Sequence, residues 1–145
     1  MNTIELLKDL TQTTYDSVEG YRKAAEQVDK AAFKRAFERR RDTRRQTLER
    51  LNSALQAQGE EPITSASISS QAHQYFLTLS DAVINDDKAV ISRIEEGEGY
   101  IADEFRDALK KNEDMETSVR LVIEQAYREI SEGERFAEML EENYA

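Results

Sequence analysis

Two arginines stand where a helix would normally bury leucines. From Lys34 to Leu55 the inward positions step 4, 3, 4, 3, 4 through Phe37, Arg41, Arg44, Leu48, Leu51 and Leu55. Guanidinium groups are seldom fully buried unless paired, so the rest of the chain must set carboxylates against Arg41 and Arg44. Glu98 and Glu129 fall on the inward stripes of two later helical segments. Charged groups converging between helices support two chemistries. One is a buried salt-bridge layer, in which guanidinium forks meet carboxylates bidentately and fix the register of the helices. The other is a two-metal carboxylate centre, which needs about four to six Glu or His ligands. Its candidates are Glu19, Glu98, Glu129 and Glu132. Fixed positive charges at the same height would repel a divalent cation, which favours the salt-bridge layer of Arg41, Arg44, Glu98 and Glu129.

Such a layer needs long helices to hold it. The chain has 145 residues, 34% charged and 39% hydrophobic, with one proline and five glycines, a profile of amphipathic helices rather than strands and turns. We expect one domain over residues 1–145. Cysteine is absent, which removes disulfide, zinc-thiolate and thiol chemistry. No apolar run approaches ~18 residues and no basic-then-apolar leader opens the chain, so a cytoplasmic location is expected. The net charge of −10 argues against nucleic acid or anionic membrane as a partner.

Residues 3–28 predict a first helix, its inward stripe running through Ile4, Leu7, Thr11, Thr14, Val18, Tyr21, Ala25 and Val28, with Thr3 as N-cap. A turn near Asp29 leads to a second, antiparallel helix that Gly59 should stop. The Ser/Thr-rich stretch from Gly59 to Ser70 reads as loop, followed by a shorter crossover helix over 70–84. That crossover returns the chain along the bundle, so the next long helix should run parallel to the second. It is expected over Asp87–Lys111, and a last helix, capped by Asp114, carries Met115, Val119, Val122, Ala126, Glu129, Gly133, Phe136 and Leu140 inward. Gly97, Gly99 and Gly133 lie inside these helices at a cost of about 1 kcal/mol each relative to alanine, which points to close backbone approach.

At 1.5 Å rise per residue, Glu19 and Arg41 each lie about 16 Å from the first turn, and Glu98 lies at a similar height on a helix parallel to the second. Glu98 and Glu129 stand about 21–22 Å either side of the last turn. One level should therefore hold Glu19, Arg41, Arg44, Glu98 and Glu129, with Glu95 and Glu132 at its edges.

The first helix carries Asp16, Glu19, Gly20, Tyr21, Arg22, Ala24 and Ala25, and Glu-Gly-Tyr recurs at Glu98, Gly99 and Tyr100. In this signature, and over nearly its whole length, the chain resembles a bacterial family of ferritin-like four-helix bundles of unknown function. The resemblance implies an all-α fold of two antiparallel helix pairs joined by a crossover helix. Metal-binding ferritin-like proteins carry Glu-x-x-His on the second and fourth bundle helices. Here the matching pairs are Arg41-x-x-Arg44 and Glu129-x-x-Glu132, without histidine and with the first reversed in charge. A degenerate metal site follows, with no cofactor expected; the alternative is iron or manganese held by the four glutamates in an oxidoreductase or storage protein.

The remaining signals read as structural. His73, the single histidine, lies on the crossover helix with no cysteine or serine cluster to serve. The basic run Lys34, Arg35, Arg39, Arg40, Arg41, Arg44, Arg45 and Arg50 is interleaved with Glu38, Asp42 and Glu49 and is matched by acidic later helices, so we read it as internally compensated. The expected protein is a non-catalytic bundle acting through its surface, with a homodimer or another protein as partner.

Overall fold

The computed structural model describes residues 2–67 and 86–144. Four helices, and no strand, are present among them: α1 (Thr3–Gln27), α2 (Ala31–Ala57), α3 (Asp87–Lys111) and α4 (Thr117–Tyr144). The expected crossover helix over 70–84, and His73 with it, lies outside the described residues.

Local chemistry sets each boundary. Asn2, rather than Thr3, caps α1, its side chain accepting from Glu5 N at 2.8 Å. Gly59 ends α2 at φ +81°, donating to Gln56 O while Glu60 N reaches Leu55 O, both at 3.0 Å. This is a Schellman stop, and a side chain at that φ would be strained. Asp86 caps α3 by accepting from Lys88 N at 2.9 Å. Asp114 does not cap α4, which begins three residues later. Met115 is buried in the core between the helices, so the chain crosses the end of the bundle before it can start to coil.

Two apolar clusters show how the helices run. One joins the start of α1 (Leu6, Leu7, Leu10) to the end of α2 (Leu51, Leu55), the end of α3 (Ile101, Phe105, Ala108) and the first half of α4 (Val119, Ile123, Ile130). The other joins the end of α1 (Tyr21, Ala24, Ala25) to the start of α2 (Phe33, Phe37), the start of α3 (Val90, Ile91, Ile94) and the end of α4 (Ala137, Leu140). Hence α1 and α2 are antiparallel, α3 and α4 are antiparallel, and α2 runs parallel to α3. The packed neighbours are α1 with α2, α2 with α4, α4 with α3 and α3 with α1, which leaves α2 and α3 on a diagonal.

The connector after α2 climbs along α1. Asn52 brackets Ile63, accepting from its N–H at 2.7 Å and donating to its carbonyl at 3.0 Å. Higher up, the fully buried Asp16 accepts from the N–H and the hydroxyl of Ser67 at 3.0 and 2.8 Å. At the far end Asp87 accepts from the N–H groups of Asp29 and Lys30 at 2.8 and 3.2 Å, tying the start of α3 to the α1–α2 turn.

Candidate functional site: a buried arginine–glutamate network

Between the two apolar clusters lies one polar level, centred on Arg44. Its side chain is fully buried, as is that of Glu98, while Glu129 is 10% exposed. Every helix contributes. From α2, Arg44 Nη1 and Nη2 donate to the two oxygens of Glu98 on α3 at 2.8 and 2.6 Å, a bidentate fork across the diagonal. Arg44 Nε donates to Glu129 on α4 at 2.7 Å, and Nη1 also donates to the hydroxyl of Ser17 on α1 at 2.9 Å. The Ser17 hydroxyl in turn donates to Thr14 O at 2.8 Å. Thr47 donates to the same Glu129 oxygen that Arg44 Nε uses, at 2.7 Å, and Arg40 Nη2 binds the other.

Aromatic rings of the second apolar cluster close the level on one side. The Arg44 guanidinium lies 5.7 Å from the centroid of Tyr21, and that of Arg40 lies 5.9 Å from Phe136. The Tyr21 hydroxyl sits beside the Glu98 carboxylate without a hydrogen bond of ordinary geometry. Burial, reinforced by the Glu98 charge, holds this phenol well above the usual tyrosine range, so it stays protonated. Arg44 is held charged above its ordinary range, because Glu98 and Glu129 together outweigh the cost of its burial.

Gly133 makes the level fit. A Cβ built there would collide with Glu98 Oε2 and stand 2.5 Å from Arg44 Nη2. The close approach expected at this glycine is therefore to the ion pair itself. At Gly99 a Cβ would meet nothing within 4 Å, so close approach does not explain that residue.

The structure brings Arg44, Glu98 and Glu129 together but not Arg41. The Arg41 guanidinium pairs with its chain neighbour Asp42 at 3.0 Å and is 24% exposed. Arg40 takes its place because Glu129 approaches from the α4 side of α2, and Arg40, Arg44 and Thr47 share that side at i, i+4, i+7 spacing. That spacing was present in the sequence; reading a single central stripe hid it. Glu19 pairs on the surface with Arg22 at 2.8 Å, and Glu132 is exposed. Among the described residues no group of three or more His, Asp or Glu side chains is arranged to hold a metal ion. The basic run is only partly compensated among the described residues: Arg35, Arg39, Arg45 and Arg50 are exposed and make no ion pair there.

The signature on α1 serves this arrangement. Asp16 anchors the connector, Tyr21 faces Arg44, Glu19 and Arg22 pair outside, and Ala24 and Ala25 let the helices approach in the upper cluster.

A half-buried acid, Glu104, lies lower, in a groove of about 440 Å³ between α1 and α3 lined by Leu6, Asp9, Leu10, Asp107, Ala108, Lys111 and Asn112. Burial, opposed by the nearby Thr13 hydroxyl and reinforced by the charges of Asp9 and Asp16, raises the Glu104 carboxyl to about 7. Its folded value exceeds its ordinary one, so the folded state keeps this proton longer than the unfolded chain. The stability this group contributes should be full below about pH 4.5 and fall as pH rises towards 7, by about 2–3 kcal/mol. Urea melts of the wild type and Glu104→Gln at about pH 5 and pH 8 check this: the variant should gain stability relative to wild type at the higher pH.

Residues 2–111 match a domain family described as "Domain of unknown function (DUF2383)". The match ends with α3, so Glu129 and Gly133 lie beyond it. No curated protein matches the chain, and no solved structure does.

Proposed function

We propose, for a chain that belongs to the DUF2383 domain family, a non-catalytic ferritin-like bundle whose metal level has been replaced by the Arg44 network and which acts through its surface. The observation that carries the reading is the fully buried Arg44 with both Glu98 oxygens in its fork. A carboxylate pair that would bridge metals instead faces a permanent cation at hydrogen-bond distance. The remaining Glu129 oxygens are engaged by Arg40, Arg44 and Thr47. These residues do not fit a di-metal centre, which needs deprotonated ligands free to donate and no fixed positive charge among them. The parallel course of α2 and α3 supports the ferritin-like topology, since a crossover along the bundle is what such a course demands.

Protein purified without chelator and examined by elemental analysis should contain no stoichiometric iron or manganese, and titration with either ion should leave its thermal midpoint unchanged. One bound equivalent, or a midpoint that rises with metal, would restore the di-metal alternative with Glu19, Glu98, Glu129 and Glu132 as its candidate ligands. In that case Arg44→Leu should tighten binding, because it removes the repelling charge.

A further inference from the structure

We propose that the outer face of α4 is a self-complementary docking surface on which a second copy of this chain packs in antiparallel orientation. The proposal deepens the reading of a bundle acting through its surface, and rests on that reading only for the expectation of a partner.

Opposite the buried positions of α4 runs a second stripe, spaced 4, 3, 4, 3, 4: Leu121, Gln125, Arg128, Glu132, Arg135 and Met139. All six residues are exposed, and the spacing is that of a helix–helix seam. Leu121 and Met139, 61% and 48% exposed, are two of the three large apolar side chains left exposed among the described residues. They bracket the stripe, about 27 Å apart. Between them Arg128, Glu132 and Arg135 make no ion pair among the described residues, although α4 forms such pairs on its other sides through Glu129, Glu134 and Arg120.

The order of these side chains decides the occupant. A two-fold axis crossing an antiparallel α4 pair at the level of Ile130 sets Leu121 against Met139 of the second copy, Gln125 against Arg135, and Arg128 against Glu132. Each contact occurs twice, as an isologous interface requires. Apolar ends meet apolar ends, and each charge of the central pair meets its opposite. A parallel pair would oppose like with like at Arg128 and Glu132. A single helix pair is a small interface, so dissociation on the order of tens of micromolar is expected.

Sedimentation over roughly 1 µM to 1 mM tests this. The wild type should shift from monomer to dimer, more weakly at high salt. Arg128→Glu alone or Glu132→Arg alone places like charges opposite each other and should weaken association about tenfold or more; the two together should restore it. Circular dichroism checks that each variant is folded. Because the chain has no cysteine, register can be read directly. Leu121→Cys mixed with Met139→Cys should give a mixed disulfide under mild oxidant, and neither alone should. A monomer throughout, a dimer indifferent to the single reversals, a double variant no better than the singles, or crosslinks within one variant alone would overturn the proposal. None of these outcomes touches the Arg44 network, so this reading and the preceding one fail separately.

Discussion

Arg44→Leu should destabilise the bundle by about 3–5 kcal/mol, because it leaves the fully buried Glu98 without the cation it was folded against. Leucine fills part of the space but offers no donor, so Glu98 must either ionise unpaired or take up a proton, and each alternative is costly. Glu129 suffers less, since Arg40 and Thr47 remain. For a chain of this size the thermal midpoint should fall by about 6–20 °C. Adding Glu98→Leu should recover most of the loss, because replacing a buried pair by apolar residues of similar volume is often neutral or better. Urea denaturation of the two single variants and the double gives the coupling directly. A single variant within about 1 kcal/mol of wild type would show that the network contributes little to holding the helices.

Gly133→Ala should also destabilise, although helix propensity alone predicts a gain of about 1 kcal/mol. The added methyl would need the space occupied by Glu98 Oε2 and Arg44 Nη2. Neither group can swing aside cheaply. Both are buried and held at two points, so the methyl must break the fork or push α4 away from α2 and α3. Overpacking of this kind costs about 1–3 kcal/mol, and breaking a charged hydrogen bond adds to it. The sign is the test. Gly99→Ala, where nothing lies within 4 Å, serves as the internal control and should be neutral or stabilising.

Helix existence and direction were legible in the sequence because each helix carries its own period and its own stops. Asp87–Lys111 is found as expected, and Leu7, Tyr21, Phe37, Leu51, Val119 and Leu140 are buried where the stripes place them. The polar level was legible only in outline. Rise along a helix fixes height, so Arg44, Glu98 and Glu129 could be matched before any contact was known. Azimuth is another matter: Glu129 sits off the centre of its stripe, and which of two adjacent arginines it meets depends on how α2 and α4 are rotated about their axes. That rotation is decided by packing between distant parts of the chain, so the stripe alone favours Arg41 over Arg40. Ser17 and Thr47 were invisible for a related reason. A small hydroxyl residue on a helix gives no sign of whether its proton goes to its own backbone, as Thr11 and Thr14 do, or across the bundle, as Thr47 does.

The direction of the four helices also governs how the molecule would bear tension. Since α1 and α4 point the same way, Asn2 lies at one pole of the bundle and Tyr144 at the other. A force applied between those two residues pulls along the helix axes, so neighbouring helices must slide past one another instead of peeling apart from an end. Sliding loads the contacts of the bundle together, whereas peeling would break them one at a time.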